Sequence, residues 1–239
     1  MPTPRVFIVR HGETEWSLSG RHTGATDIPL TPAGETRIRA TGAALVGPDR
    51  LIVPGRLACI YVSPRTRARR TLHLLLAPNT QTPAPIHVTD AVREWDYGIY
   101  EGRTTREIRE DRKRRRVDAG HWDIWRDGCE GGERPGDVES RLDGLIREVR
   151  ETLHRGRFGD DGRPSDVLIV AHGHILRSLA ARWVGKKLED NPGLILEAGG
   201  VGTLSYEHNS IDEPAILLGG AFVVDAVEKE SEREDKTNG

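Results

Sequence analysis

The residues able to do chemistry in this chain stand at the ends of short apolar runs. Val6-Phe7-Ile8-Val9 leads into Arg10-His11-Gly12-Glu13, and Asp166-Val167-Leu168-Ile169-Val170-Ala171 leads into His172-Gly173-His174. A third run, Cys59-Ile60-Tyr61-Val62, ends in Ser63-Pro64-Arg65-Thr66-Arg67-Ala68-Arg69-Arg70-Thr71. Taken alone, Arg-His-Gly after a strand reads equally well as a surface turn with a capping histidine. The second His-Gly shifts that balance, because two such strands can bring both imidazoles to one sheet edge, where open α/β sheets bind ligands. Two histidines and several arginines would neutralise a phosphate dianion and offer it a nucleophile. Gly12 would let the backbone turn and come close to such a ligand.

Strands and helices must hold these groups in place. The three runs are β-branched and of strand length, as suits strands buried on both faces. Thr31-Pro32-Ala33-Gly34-Glu35 reads as a helix start, with Thr31 as cap, Pro32 at the first position and Glu35 in the capping-box region. Ile38 and Leu45 give that helix a packing face. A second helix follows Pro64, carries Leu72, Leu74, Leu75 and Leu76, and is ended by Pro78, Pro83 and Pro85. Ile86-His87-Val88 is a short strand, and 91–102 is a loop dense in aromatic and acidic residues. Arginines crowd 103–117 with Glu107, Glu110 and Asp111 between them. Charges three and four apart read as a solvated helix, ahead of a polyanion site or a subunit contact. The glycine-rich 122–133 reads as an irregular lid. Val138, Leu142, Leu145, Ile146, Val149 and Leu153 recur at helical steps, so a long helix is expected over 135–154. A further helix at 175–183 and strands at 202–206 and 215–218 complete the pattern. Residues 1–227 are expected to form a single domain. Residues 228–239, charged and without apolar side chains, should be a disordered tail.

The 239 residues carry 35 Lys and Arg against 37 Asp and Glu, a formal charge of −2. Near neutrality gives no global case for nucleic-acid or membrane binding. Any anion site must come from local concentration of arginine. The two cysteines suggest neither a disulfide framework nor a zinc site, and Cys59 is expected as a small buried hydrophobe. The chain enters its first strand without a signal-peptide pattern and holds no apolar stretch of membrane-spanning length. The expectation is a soluble, cytoplasmic protein, with a homo-oligomer left open.

RHGETEW, SPRTRARRT, REWDYGIYEG and VAHGH, in this order, resemble the histidine phosphatase superfamily, which includes the phosphoglycerate mutases. Within it, WSLSGRHTGATDIPLT, WDIWRDGCEGGE and AGGVGTLSYEHNSIDEPAI resemble the fungal-type sedoheptulose-1,7-bisphosphatases. The order of elements and the resemblance together imply a three-layer α/β/α sandwich with a mostly parallel sheet and the site at its C-terminal strand edge.

The resemblance makes His11 the nucleophile, forming a phosphohistidine. It must attack unprotonated, and the nearby cations should hold its pKa down. Arg10 and Arg67 would clamp the phosphate, Arg67 being the arginine that fits S-x-x-x-R-A-x-x-T; Arg65, Arg69 and Arg70 read as surface or salt-bridge residues. His172 would stabilise charge on the transferring group, and His174 reads as structural. Glu94 would protonate the leaving oxygen and then deprotonate water, its pKa raised by enclosure, with Asp96 and Glu101 as the alternatives, Asp96 ahead. Ser17, His22, Thr23 and Ser63 are expected near the substrate. Arg177 and His208 match contacts to a second phosphate or the sugar.

No metal-ligand cluster or cofactor is implied, and the expected partner is a small phosphorylated sugar. The function so implied is a metal-independent sugar-bisphosphate phosphatase acting on sedoheptulose 1,7-bisphosphate. Its rivals are a phosphoglycerate mutase, a phosphatase of broad scope, and a catalytically dead binding member. A mutase must keep its phosphoryl group from water under a long lid; the glycine-rich 129–133 favours hydrolysis instead. A dead member should lack one of Arg10, His11, Arg67, Glu94 or His172, and all five are present.

Overall fold

The first apolar run forms strand β1 (Val6–Arg10). Its side chains alternate between two separate cores, Val6 and Ile8 in one and Phe7 and Val9 in the other. A strand buried this way must lie inside a layered fold with helices on both sides. The computed structural model describes residues 3–77, 80, 82–159, 162–191 and 193–218. The tail expected at 228–239, the end of the single domain expected over 1–227, and Pro78 lie outside the described residues.

Five further strands complete the sheet: β2 (Leu57–Val62), β3 (Ile86–Val88), β4 (Asp166–Ala171), β5 (Val201–Tyr206) and β6 (Pro214–Leu217). Their order is β3-β2-β4-β1-β5-β6. The first four run parallel, while β5 is antiparallel to β1 and β6 to β5. The expected mostly parallel sheet is therefore present, with an antiparallel pair at one edge. Register decides the function. Arg10 pairs with Ala171 and Val62 with Val170, so β1, β2 and β4 end level and deliver His11, Ser63 and His172 to one edge.

In chain order the helices are α1 (Glu15–Ser19), α2 (Pro32–Leu45), α3 (Thr66–Leu76), α4 (Thr105–Arg114), α5 (Ile124–Asp127), α6 (Pro135–Glu148) and α7 (Gly173–Trp183). A π-helical turn, Val149–His154, extends α6 to the end expected from the sequence. One core packs Ile38 of α2 and Ala68, Leu72 and Leu75 of α3 against Phe7, Val9 and Leu168. The other packs Leu142, Leu145 and Ile146 of α6 and Ile175, Leu176 and Leu179 of α7 against Val6, Val167 and Ile169. Each such buried side chain contributes about 1.5–3 kcal/mol, which sets the sheet rigidly under the site. Among the described residues no helix is long and apolar enough to cross a membrane.

Three local expectations need comment. Thr31 caps α2 by accepting from the Gly34 backbone N–H at 2.9 Å. Glu35 lies one residue too far along to complete a capping box and instead grips Arg70 and Arg39. The arginines in and flanking α4 behave as a solvated, paired face: Arg103 before the helix and Arg115 at its C-cap meet Asp111 at 3.4 and 3.3 Å, Arg115 also meets Glu130 at 2.7 Å, and only Ile108 of the helix is buried. The lid is a correction. Residues 122–133 form a fixed wall containing α5, with Trp122, Trp125, Cys129 and Glu133 buried. The glycines there serve close packing. Gly98, at φ +51°, faces this segment so tightly that a Cβ would lie 2.2 Å from the Glu130 carbonyl oxygen. The Glu133 carboxylate ties the wall down, accepting from Arg93, from Arg141 and from the Asp96 backbone N–H.

Candidate active site

His11 follows β1 directly and is buried. Its backbone N–H donates to the Ala171 carbonyl at 2.8 Å, and the Gly12 N–H donates to the Thr71 hydroxyl at 3.0 Å. The ring's Nδ1 lies 2.7 Å from the Gly12 carbonyl oxygen. A carbonyl only accepts, so Nδ1 carries the proton and Nε2 keeps its lone pair. Burial, then the Arg67 and Arg10 guanidiniums, bring the imidazole pKa down from 6.5 to about 3, against the Gly12 hydrogen bond. The sequence argument assigned that shift to the cations; burial is the larger cause.

His172 follows β4, with its ring edge-on to His11 at 5.1 Å between centroids. Arg67 donates from Nε to His172 Nδ1 at 3.1 Å. That places the His172 proton on Nε2, which donates to the Ser63 hydroxyl at 2.6 Å. Ser63, expected beside the substrate, is thus fully buried against His172, with its own hydroxyl proton left to donate. Arg67 is fully buried as well, and its remaining nitrogens are engaged: Nη1 donates to Thr26 O at 2.9 Å, and Nη2 to Thr23 O at 2.9 Å and Gly24 O at 3.3 Å. Glu101 holds the same loop from the other side, accepting from the backbone N–H groups of Gly24 and Thr26. The loop passes so close to Trp95 that a Cβ on Gly24 would lie 2.2 Å from the Trp95 carbonyl oxygen. Arg67 and Glu101 therefore clamp the loop, and Arg67's expected grip on phosphate must share a fork already largely occupied.

Glu94 lies in the turn after the 3₁₀ segment Asp90–Val92 and is buried against the N-terminus of α7. Oε1 accepts from the Trp95 and Ile175 backbone N–H groups at 3.1 and 2.8 Å, and Oε2 from that of His174 at 3.0 Å. Burial raises its pKa, opposed by those three donors and by Arg67. A group poised this way can carry a proton and then surrender it.

The other sequence candidates divide. Arg10 lies over Gly173, its Nη1 donating to the Leu196 carbonyl at 2.8 Å. His22 packs against Tyr97, Trp122 and His174 at 4.9–5.5 Å, and Thr23 sits in the clamped loop. Arg177 lies over the Trp125 ring at 5.1 Å and donates to Gly173 O at 3.1 Å; its charge bears on Glu94, His22 and His174. The Ser17 hydroxyl completes the capping box of α1 with Thr14. His208 is a correction. It follows β5, which runs antiparallel to β1, so it emerges at the opposite end of the sheet, exposed and paired with Glu213 at 2.7 Å. It stands away from the edge that carries His11 and His172. Sequence reasoning missed Glu101 as the loop's second anchor and Tyr97, whose hydroxyl lies 2.8 Å from His174 Nδ1. The signal for both was their place in the aromatic and acidic 91–102 loop.

Five histidines share one electrostatic fate. Burial lowers His11 to about 3, His22 to about 4 and His154 to about 3, and puts His172 and His174 well below 6.5. Unfolded, each would take a proton near 6.5; folded, each resists it. Their stabilisation is complete above about pH 6.5 and is lost as pH falls through the lowered folded values, by up to ~1.4 kcal/mol per pH unit for each group. Thermal melts should show a steady Tm near neutrality and a steep decline below about pH 6. A Tm unchanged down to about pH 4 would contradict the buried neutral imidazoles.

Comparison with known proteins agrees with this architecture. Residues 6–214 match the model of the histidine phosphatase superfamily (branch 1). The chain is 44% identical to sedoheptulose 1,7-bisphosphatase of Saccharomyces cerevisiae, over 98% of each chain. It is 35% identical to an acid phosphatase of Mycobacterium tuberculosis over 85% of this chain and 87% of that one. A solved structure of an open-reading-frame product from the same bacterium superposes with a TM-score of 0.69 at 30% identity, covering 92% of this chain and 98% of the other. Two strand-end histidines on a level sheet edge, with this breadth of likeness, place the chain in the histidine phosphatase superfamily, branch 1, to which it belongs.

Proposed function

We propose that this protein is a sugar-bisphosphate phosphatase that works through a phosphohistidine and converts sedoheptulose 1,7-bisphosphate to sedoheptulose 7-phosphate and orthophosphate. One observation carries the chemistry: His11 Nε2 keeps its lone pair under the influence of the Arg67 and Arg10 charges, because Nδ1–H is committed to the Gly12 carbonyl. In the first step Nε2 attacks phosphorus, the P–O bond to the sugar breaks, and Glu94 gives its proton to the departing oxygen. In the second, Glu94 takes a proton from water, the new oxygen bonds to phosphorus, and the P–N bond breaks, restoring neutral His11. Arg67 fixes the His172 tautomer, and the Ser63 hydroxyl proton is free to donate to a phosphate oxygen. Extensive identity to the yeast bisphosphatase supports the choice of sugar. A small phosphorylated substrate fits a cytoplasmic site of action.

A panel of phosphorylated sugars assayed with chelator present tests the reading, and sedoheptulose 1,7-bisphosphate should give the highest kcat/KM. Arg177 supplies a second test. Its charge bears on Glu94, the proposed acid, and on His22. Charge-assisted hydrogen bonds to a distal phosphate contribute roughly 1.5–3 kcal/mol each, so Arg177→Ala should cut kcat/KM for the bisphosphate about 10–100-fold. An aryl monophosphate should be hardly affected. Equal losses on both substrates would remove Arg177 from distal-phosphate recognition, and a parent enzyme without preference for bisphosphates would sink the substrate assignment.

A further inference from the structure

Glu94 stands between two residues whose backbones are held by a single, largely buried ion cluster. Arg141, nearly two turns into α6, donates from Nη1 to the Ala91 and Arg93 carbonyls at 2.8 and 3.0 Å. The Arg93 carbonyl belongs to the peptide that enters Glu94, so that peptide is pinned. Two residues beyond Glu94, the Asp96 backbone N–H donates to Glu133 Oε2 at 2.9 Å, and the Glu133 N–H donates back to the Asp96 carbonyl at 2.9 Å. Arg141 joins the two ends, its Nε and Nη2 donating to Oε1 and Oε2 of Glu133 at 2.8 and 3.0 Å. The Arg93 side chain completes the cluster, with Nη2 donating to Glu133 Oε1 at 2.9 Å.

Such clusters seldom add net stability. Desolvating two guanidiniums and a carboxylate offsets much of their attraction, and apolar side chains of similar volume often hold a fold as well. A fully satisfied bidentate pair supplies one fixed geometry instead. Here that geometry belongs to Glu94, whose carboxylate must meet the Ile175 and His174 N–H groups at the start of α7, at 2.8 and 3.0 Å. We propose that Glu133 and Arg141 are positioning residues for the reaction, fixing the turn on both sides of Glu94 so that its carboxyl is delivered to the leaving oxygen. They act through Glu94 rather than on the substrate. The assignment rests on the reading of Glu94 as the proton donor. It also gives the 122–133 wall a task, since the wall ends in the anchor of the acid. Wall and turn touch too closely to move apart from each other: a Cβ on Gly132 would lie 2.1 Å from the Asp96 carbonyl oxygen.

Glu133→Gln keeps the shape of the side chain and tests the proposal. The groups bonded to this carboxylate, from Arg93, Arg141 and the Asp96 backbone, are all donors, so an amide nitrogen must oppose one of them and shift the turn. The kcat/KM for sedoheptulose 1,7-bisphosphate should fall ~10–100-fold, the scale on which a small misplacement of a catalytic group acts. Phosphorylation of His11 by an aryl phosphate in single-turnover assays should stay within a few-fold of the parent, because that leaving group needs little from Glu94. In a Glu94→Gln background the same change should cost nothing further, since no acid is left to position. Glu130→Ala, which breaks the exposed pair with Arg115 on the same wall, should match the parent. If Glu133→Gln fails to fold, Arg141→Lys carries the same expectations, because an ammonium cannot hold both carboxylate oxygens and both carbonyls at once. Equal losses on sugar and aryl phosphates, a full loss repeated in the Glu94→Gln background, or a matching loss in Glu130→Ala overturns the proposal. A Glu94→Gln enzyme as active as the parent on the sugar bisphosphate would sink the acid reading itself, and this assignment with it.

Discussion

His11→Ala should leave a folded protein with turnover reduced by roughly 10⁴–10⁶-fold, the scale on which removal of a covalent nucleophile acts. The fold should survive because the His11 side chain makes one hydrogen bond, to the carbonyl of its neighbour Gly12, and its backbone bond to Ala171 does not depend on the ring. Removing an imidazole held neutral by burial also deletes one acid-sensitive group, so the variant should lose less Tm than the parent on acidification. The decisive measurement is chemical. A phosphorylated substrate should leave an acid-labile, base-stable label on the parent and none on the variant. Activity within a few-fold of the parent would remove the phosphohistidine from the mechanism, whatever the substrate.

The parts of this site that were legible in the sequence are those set by short-range pattern. Val6 to Val9 and Val167 to Ala171 are apolar throughout, so they had to be doubly buried strands, and whatever followed them had to emerge at strand ends. Parallel pairing then put His11 and His172 together. What was hidden depends on direction and on side-chain partners. His208 follows a strand as His11 does, but β5 runs the other way, and nothing local in Gly202 to Tyr206 records that. Trp122 and Trp125 turn an apparently irregular glycine-rich stretch into a wall, because their burial outweighs the local preference for disorder. Among the five arginines of 63–71 and 10, only packing separates the one that braces a loop, Arg67, from the ones with unpartnered nitrogens, Arg10 and Arg65.

Glu94→Gln should slow hydrolysis of sugar phosphates by roughly 10²–10⁴-fold, the usual contribution of a general acid. The sugar alkoxide is a poor leaving group, and Glu94 is the buried carboxyl whose pKa is raised by its surroundings. Asp96, two residues on, is exposed and accepts from the Gly98 N–H, a turn-forming role. Oε2 of Glu94 accepts one backbone N–H against two on Oε1, so it is the oxygen with a lone pair available for the transferred proton. Two consequences separate this role from a merely structural one. In single-turnover assays an aryl phosphate, whose leaving group needs little protonation, should phosphorylate His11 in the variant at nearly the parent rate, while breakdown of the phosphohistidine stays slow for want of a base. The pH profile should change too. The phosphorylation step needs Glu94 protonated and His11 neutral, so the parent's kcat/KM, which reports that step, should fall as pH rises through the raised Glu94 value and stay high on the acid side down toward the His11 value of about 3, to the extent that the fold endures. The variant should lose the alkaline limb. Its amide would also oppose a nitrogen to one of the three backbone donors, so a Tm loss equivalent to about 1–3 kcal/mol should accompany the kinetic change. Equal rate losses on sugar and aryl phosphates in the phosphorylation step, with the alkaline limb retained, would move the proton-transfer role away from Glu94.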